Sequence, residues 1–443
     1  MDTIAAIATP VGTGAVGIIR MSGDKAREIA AEVFSPFKIK SFENAQPYMM
    51  YLGKLESGGV RDKALAVYFA APNSYTGEDV VELHCHGGAA LLRHVLEGLC
   101  AKGARIADRG EFTRRAFLNG KMDLSDAEGV IDMINGDSAA AVNAGYRLAT
   151  GGVSAAVHEL TAPLLDVIAH MEAALDYPEE MEEEAKLSAK PVLDELIERT
   201  QKLLYTCRAG SIVKNGITVA IVGETNVGKS SLLNALTGRD RAIVTDIAGT
   251  TRDSIEEVLE WKGIALRFVD TAGIRESEDV IESMGIDRSR DIAKNSDIVL
   301  FVVDGSRPNN ANREELLQGI DKNTPVIEVI NKSDLPKKTS AKGFMISART
   351  GENLDALKDK IVSVVIGESL DGGGEMITSL RHKEALERAL KSLKSARAAF
   401  DQVPAECTLL DMREAYAAYG EITGDTADEK IIDTIFSKFC LGK

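Results

Sequence analysis

The stretch Ile217-Thr218-Val219-Ala220-Ile221-Val222-Gly223-Glu224-Thr225-Asn226-Val227-Gly228-Lys229-Ser230-Ser231-Leu232-Leu233-Asn234-Ala235-Leu236 decides the fold of the central part of this chain. Its first six residues are apolar or β-branched and read as a buried strand; its last six read as the start of a helix. Between them, Gly223 to Ser230 fits the phosphate-binding loop GxxxxGK[ST]. The glycines allow backbone turns that point successive N–H groups at phosphates, and the helix N-terminus adds a favourable dipole. Lys229 is expected to bridge the β- and γ-phosphates, and the Ser230 hydroxyl to ligate Mg²⁺.

Working outward, apolar segments at Ile264 to Val269, Ile298 to Val303, Val326 to Ile330 and Gly343 to Ile346 alternate with helical patterns, which predicts a parallel sheet with crossover connections. Asp270-Thr271-Ala272-Gly273 closes the first of these segments: the acid can hold a metal-bound water, and Gly273 can bring its N–H to a γ-phosphate. Asn331-Lys332-Ser333-Asp334 closes another, and Asp334 can accept from guanine N1–H and the 2-amine, donors that adenine lacks. Ser347-Ala348-Arg349 follows the last segment and is expected to support the base through backbone N–H groups. A switch belongs between phosphate loop and DTAG, where Thr245, Asp246, Ile247, Ala248, Gly249, Thr250, Thr251 and Arg252 lie; Thr251 is placed to complete the Mg²⁺ shell when a γ-phosphate is present. These motifs, in this order, predict a GTP site built from Asn226 to Ser231, the switch threonines and the two base-reading segments.

The 443 residues correspond to two to four domains at roughly 150 residues each. Apolar residues at 44% and charged residues at 27% exclude a disordered or fibrous chain. A formal charge of −16 excludes nucleic-acid binding by bulk attraction and requires a local basic patch or a partner. The five cysteines (Cys85, Cys100, Cys207, Cys407, Cys440) form no CxxC pair and fit a reducing compartment. No apolar run of membrane-spanning length is apparent, and the N-terminus lacks a basic region ahead of an apolar one, so a cytoplasmic protein is expected.

Three compositions succeed one another. Residues 1–118 mix Gly-rich turns with short β-branched runs and one helical stretch, Leu91 to Leu99, and predict an α+β domain. Residues 119–210 turn helical, with Val157, Leu160, Leu164, Val167, Ile168 and Met171 on one face, and the acidic run Glu179 to Glu184 reads as a break or a solvated helix end. Residues 211–375 hold the α/β module, closed by the hinge-like Gly372-Gly373-Gly374; residues 376–443 resume with an amphipathic helix from Leu380 to Phe400. One helical domain built from both flanks, with the module inserted, is the economical inference.

Two features stay open on the residues alone. Glu82, His84 and His86 share one strand face; a zinc site is conceivable there, but a satisfied histidine is the simpler reading. Cys440, in the terminal Cys440-Leu441-Gly442-Lys443, superficially matches a prenylation box that fails at Gly442 and at the final Lys.

Ras-like GTPases place a Gln directly after DTAG to orient the attacking water; this chain has Ile274, leaving Glu276, Glu278, Asp279 and Glu282 as the nearest carboxylates. Here a closer resemblance applies. Asp2 to Ala6, Ala8-Thr9-Pro10, Gly17 to Arg20, Tyr75 to Asp79, Gly110 to Thr113, Ala116 to Asn119, Gly249 to Asp253 and the tail Phe439 to Lys443 together resemble the bacterial tRNA-modification GTPase family written MnmE or TrmE, end to end. The resemblance implies a multidomain α/β and α protein: an N-terminal α+β folate-binding and dimerisation domain, a discontinuous helical domain, and an inserted Ras-like P-loop G domain. It implies K⁺ held by Asn226 with backbone oxygens around Thr245, Ile247 and Thr250, and Glu282 orienting water indirectly. Arg252 and Cys440 are further catalytic candidates, the cysteine either as a nucleophile toward uracil C6 or as a structural contact. A tetrahydrofolate derivative, in its 5-formyl or 5,10-methylene form, is expected at Arg20, Glu82, Lys121 and Lys443, the last from the same chain or its partner, with Glu78 a rival to Glu82.

The family further implies a homodimer whose G domains meet on GTP binding. It also implies a flavoprotein partner of the MnmG/GidA type that holds the FAD, this chain having no GxGxxG fingerprint of its own, and a heterotetramer modifying C5 of the wobble uridine of certain tRNAs. The competing class is a ribosome-assembly GTPase, a binding and timing factor; such proteins carry a basic RNA module or a second G domain, and this chain has no second phosphate loop. A lipid-anchored switch fails on the tail.

Overall fold

The computed structural model describes residues 2–10, 12–176, 178–238, 256–270, 296–308, 313–317, 320–321, 323–366, 375–400 and 402–443. They form two compact units: Met1–Ile131, Leu148–Val192 and Lys391–Lys443 make the first; Asp132–Arg147 and Leu193–Leu390 make the second.

In the first unit, short β-branched runs alternate inward and outward, and each becomes a strand. These are β1 (Ile4–Ile7), β2 (Gly14–Ser22), β3 (Phe34–Pro36), β4 (Met50–Ser57), β5 (Val60–Phe69), β6 (Val80–Gly87) and β7 (Arg105–Ile106), in sheet order β3-β4-β5-β6-β2-β1-β7. All pairs are antiparallel except β1 with β7. Ile19, Met21, Leu83, Cys85, Tyr51 and Leu55 point to one face, where the helices Ala26–Val33 and Ala89–Ala101 cover them with Ile29, Val33, Leu92, Val95 and Leu99. Each such side chain stabilises the fold by about 1.5–3 kcal/mol through burial. Gly17 lies beneath Leu92, where a Cβ would come within 2.4 Å of a leucine methyl.

The opposite face carries Arg20, Glu82 and His84 alongside the exposed Met50 and Leu52. Arg115, buried in the helix Glu111–Leu118, ties the domain together: it donates to the Asp2 carbonyl at 2.8 Å and carboxylate at 2.7 Å, to Glu111 at 3.0 Å and to Glu78 at 3.1 Å. The Ser22 hydroxyl completes the network on Glu78.

The helices Gly152–Asp176 and Ala405–Thr423 pack along each other in this unit through Val157, Leu160, Leu164 and Met171 on one side and Leu409, Met412, Ala415 and Tyr419 on the other. The expected apolar face is therefore the packed one. Contrary to the expectation that nothing here approaches membrane-spanning length, Gly152–Asp176 is long and apolar enough by length and composition alone; its buried stripe faces protein. The terminal helix Glu429–Ser437 is capped by Asp428, whose carboxylate accepts from Ile431 N at 2.8 Å, and it packs Ile435 and Phe436 with Phe439 against Leu124 and Ala127.

The second unit is a six-stranded sheet: β8 (Ile217–Val222), β9 (Glu256–Trp261), β10 (Ile264–Asp270), β11 (Ile298–Asp304), β12 (Val326–Asn331) and β13 (Phe344–Met345), in order β13-β12-β11-β8-β10-β9. Strands β8, β10, β11, β12 and β13 are parallel, as their periodicity predicts. The prediction of a purely parallel sheet is corrected at one edge, where β9 pairs antiparallel with β10. A two-residue turn makes this hairpin possible: Lys262 and Gly263 both have positive φ, 50° and 84°. Along β8 and β11, Val219, Ile221, Leu300 and Val302 face the helices Lys229–Thr237 and Leu354–Ile366, while Ala220, Val222, Val299 and Phe301 face the other layer. Residues 132–147 join this sheet: Arg267 bonds Asp137, and Ala139 N donates to Glu260 at 3.3 Å. The acidic run lies in the first turns of the helix Pro178–Asn215, and Gly372 to Gly374 lie outside the described residues.

Asp123 and Asp126 cap the helix Leu124–Asn135 reciprocally, each carboxylate accepting from the other's backbone N–H at 2.8 and 3.1 Å. Burial, with the nearby Asp123 charge, pushes the Asp126 carboxyl up to about 6. A folded-state value above the unfolded one means that the native state holds more protons between about pH 4 and 6, so this group's contribution is full below pH 4 and is lost as pH rises through 6. Asp126→Asn, which keeps the accepting oxygen, is expected to stabilise the protein by about 1–2 kcal/mol at pH 7.5 after allowance for solvent screening, and by nothing at pH 4. Urea denaturation at the two pH values measures the difference.

Candidate functional site

The strand β8 ends directly in the phosphate loop. Gly223 has no space for a side chain, since a Cβ would lie 2.4 Å from the Val302 carbonyl on β11. Asn226 and Gly228 adopt left-handed conformations with φ of 63° and 96°, and Gly228 caps the helix Lys229–Thr237. The loop is thus folded for anion binding by its own sequence. The Lys229 ammonium folds back on the loop, donating to the Gly223 and Glu224 carbonyls at 2.9 and 2.7 Å. Ser230 and Ser231 are exposed on the first helical turn, as is Asn226 on the loop, whereas Val227 is buried.

The base-reading segment sits against this loop. Asn331 ends β12 and is 1% exposed; its amide donates to the Val227 carbonyl at 3.0 Å, and its oxygen accepts from Lys332 N and Ala348 N. Lys332 Nζ reaches Asp304 at 2.6 Å and the Asn226 carbonyl at 3.3 Å. The Ser347 hydroxyl, fully buried, donates to the Asp334 carboxylate at 2.7 Å, while Arg349 approaches the other oxygen at 3.9 Å. Ser333 N donates to the Ile346 carbonyl, and its hydroxyl to Glu352. The N–H groups of Ser347 and Ala348 are directed to Glu352 O and to Asn331, so they brace the segment from within.

Asp304, Ser306 and Glu352 belong to this arrangement and were not singled out from the sequence. The signal available for Asp304 was its place at the end of a buried strand, two residues before a serine, the spacing of a local side-chain turn. Burial raises the Asp304 carboxyl, but the Lys332 ammonium and the Ser306 donors outweigh it and hold the group below the usual carboxylate range.

Asp270 ends β10, with its side chain outside the described residues. Thr245, Asp246, Ile247, Ala248, Gly249, Thr250, Thr251, Arg252, Thr271, Ala272, Gly273 and Glu282 also lie outside them.

The first unit brings a second group of the predicted residues together. Arg20 and Glu82 are register partners on β2 and β6, linked at 2.8 and 2.9 Å. The Arg20 guanidinium lies 5.6 Å over the Tyr75 ring and 5.8 Å over that of Phe112, so it is held by charge and by two aromatic faces. His84 Nε2 is 3.2 Å from the other Glu82 oxygen. Burial raises the Glu82 carboxyl, but His84 and Arg20 together bring it below the usual range. His86 instead pairs with Asp62, and no metal-holding group of His, Cys, Asp or Glu occurs among the described residues.

The tail reaches this group within one chain. Phe439 is buried against Phe436, Leu441 bridges to Arg109, and Gly442 has φ 92° with room for no Cβ, which would sit 2.4 Å from the Ile7 carbonyl. Burial and the Arg20 charge lower the Lys443 ammonium, against the pull of Cys440 and Glu82. Cys440 is exposed. Lys121 donates to the Pro72 carbonyl at 2.9 Å. Glu78 is engaged by Arg115 and Ser22, which leaves Glu82 beside Arg20 and Lys443.

Two family models match the chain: the GTP-binding protein TrmE N-terminus over residues 3–121 and the MnmE helical domain over residues 124–440. The tRNA modification GTPase MnmE of Carboxydothermus hydrogenoformans is 43% identical, covering 100% of this chain and 99% of its own; that of Clostridioides difficile is 40% identical with the same coverage. Among solved structures, Aquifex aeolicus Era bound to GDP and AlF4⁻ is 31% identical over 40% of this chain and 66% of that one, with a TM-score of 0.26. The G domain of T. maritima FeoB is 28% identical over 33% of this chain and 97% of that one, with a TM-score of 0.24. Both structural overlaps are partial, whereas the sequence relatives match over the whole length, and by that measure the chain belongs to the MnmE (TrmE) family of tRNA modification GTPases.

Proposed function

We propose that this chain is a potassium-dependent GTP hydrolase that works with a flavoprotein of the MnmG/GidA type to modify C5 of the wobble uridine of certain tRNAs, using a tetrahydrofolate one-carbon unit. The observation that supports the GTPase core most directly is the joining of base-reading segment to phosphate loop, through Asn331 to the Val227 carbonyl and Lys332 to the Asn226 carbonyl. GTP is held by Asn226 to Ser231, by Thr245 to Thr251, by Asp270 to Gly273, and by Asn331 to Asp334 with Ser347 to Arg349. The base enters beside Asp334, whose carboxylate is pre-set by Ser347.

Ser230 and Thr251 fit a Mg²⁺ ion by their donor chemistry, and Asn226, exposed on a left-handed loop position, fits K⁺ with Thr245, Ile247 and Thr250. Bound there, K⁺ supplies positive charge where phosphate charge develops. Glu282 orients the attacking water indirectly, where Ile274 stands in place of the glutamine of Ras-like GTPases, and Arg252 assists from the switch.

The division proposed is 1–118 for the folate and dimerisation domain, 119–210 and 376–443 for the helical domain, and 211–375 for the G domain. Arg20 and Lys121 would pair the folate carboxylates and Glu82 the pterin N–H groups, with Lys443 contributing, an assignment that requires the Arg20–Glu82 ion pair to open when the folate binds. The uncovered sheet face with exposed Met50 and Leu52 suits the homodimer, and the flavoprotein, with its FAD, extends this to a heterotetramer. The acidic balance suits a cytoplasmic protein whose tRNA contacts are shared with that partner. Cys440 is placed beside Lys443, as a nucleophile or a contact.

Turnover of GTP in KCl is expected to exceed that in NaCl by at least about tenfold, through charge stabilisation of the transition state. Asn226→Gly keeps the left-handed backbone and removes the amide, and is expected to abolish that difference while mant-GDP still binds. Equal slow rates in both salts for the unaltered protein would favour the ribosome-assembly timing factor.

Gly442→Val is expected to displace the tail, because strain at positive φ and the clash with Ile7 act together. Titration calorimetry with 5-formyl-tetrahydrofolate is expected to show affinity reduced by at least about tenfold, with the thermal midpoint unchanged. An unaltered affinity would remove Lys443 from the folate site.

A further inference from the structure

Asp304 closes β11, and only 7% of it is exposed. Both of its oxygens are used: Oδ1 accepts from Ser306 N at 2.9 Å and Ser306 Oγ at 2.6 Å, and Oδ2 lies 2.6 Å from Lys332 Nζ. Arg307 is 3.8 Å from the same oxygen but is itself mostly exposed, so it is no substitute for the lysine. The Lys332 ammonium thereby faces the Asn226 carbonyl at 3.3 Å, while the neighbouring Asn331 holds the next carbonyl, that of Val227.

Successive side chains of the base-reading segment thus grip successive carbonyls of the phosphate loop. Only one of the two grips depends on a charge supplied from a third strand. Asn226 sits at φ 63°, a left-handed conformation that asparagine tolerates better than most residues, and the grip holds its carbonyl in that one orientation. Lys332 is itself left-handed, with φ 68°, so both ends of the link are set in conformations that relax if the link opens.

We propose that Asp304 is a positioning residue: by holding the Lys332 ammonium against the Asn226 carbonyl, it fixes the backbone of the cation-holding asparagine and couples base recognition to the phosphate loop. The cation half of this inference rests on the potassium reading given above; the coupling of the two loops does not. The neutral, equally sized Asp304→Asn leaves the amine without its counter-charge, whereas Asp304→Glu restores charge at a displaced position.

Stopped-flow release of mant-GDP, in KCl and in choline chloride, tests the coupling without turnover. Release from Asp304→Asn is expected to be about tenfold faster in both salts, with Asp304→Glu intermediate, the scale expected for a charged hydrogen bond lost at a buried carboxylate. If Asp304 acts through Lys332, the double variant Asp304→Asn, Lys332→Met releases no faster than Lys332→Met alone. In steady-state turnover, the potassium concentration for half-maximal rate is expected to rise at least about threefold in Asp304→Asn, with kcat at saturating potassium within about twofold.

Release within about twofold of the unaltered protein, or additive effects in the double variant, would overturn the positioning role. Faster release with an unmoved potassium requirement would overturn the cation coupling. Absence of potassium stimulation in the unaltered protein would refute the potassium reading and leave the release measurement to decide on Asp304. Should Asp304→Asn melt below the assay temperature, Ser306→Ala, which removes the hydroxyl donor from Oδ1 while the backbone N–H and the ion pair stay, is expected to accelerate release about two- to threefold, and no acceleration there would overturn the role.

Discussion

The hydrogen bond from the buried Asn331 amide to the Val227 carbonyl is the constraint on which the central unit's candidate site depends. It joins two loops that leave neighbouring regions of a parallel sheet, β8 and β12 on either side of β11. A Cβ at Gly228 would lie 2.5 Å from the nitrogen of the same Asn331 amide, too close for any side chain. The glycine of the phosphate loop therefore serves two ends: it permits the left-handed turn that starts the helix, and it admits the asparagine. In an α/β sheet, ligands bind at the carboxyl ends of the strands. Here those ends are cross-linked to each other by the chain's own side chains, and a site held together in this way costs less to order around a ligand.

The N-terminal unit depends in a comparable way on a single buried cation. Arg115 gathers Asp2, Glu78 and Glu111 from three parts of the sequence, and every one of its carboxylate partners is thereby removed from ligand chemistry. The second arginine, Arg20, stands with Glu82 and His84 on the other sheet face, with Phe112 and Tyr75 against it and the Lys443 charge within its influence.

That contrast marks the limit of what the residues declared in advance. The strands of the α/β unit were legible because fully buried parallel strands are continuous apolar runs, and β8, β10, β11 and β12 agree with the expected segments to within a residue. The edge strand β9 was not, since Glu256-Glu257-Val258-Leu259-Glu260-Trp261 is half polar and its partner choice rests on the Lys262-Gly263 turn. Phosphate-loop and base-reading motifs were legible because their chemistry requires fixed residue types at fixed spacing. Asp304 was not, because a carboxylate after a strand has many uses and its partner lies 28 residues further on. The different surroundings of Glu78 and Glu82 were not legible from one strand and one loop, because the partner of Glu78 is Arg115, 37 residues further on. Nor could spacing bring Lys443 within electrostatic reach of its own chain's Arg20, to which the close approach of Gly442 to Ile7 contributes.

Competition of unlabelled nucleotides against mant-GDP tests the central claim most directly, that the cross-linked loops form a guanine-selective site. The account predicts that GDP and GTP displace the label and that ADP and ATP do so about ten-thousand-fold less well, since adenine leaves the Asp334 carboxylate without its donors. Displacement by adenine nucleotides at concentrations similar to those of guanine nucleotides would contradict it.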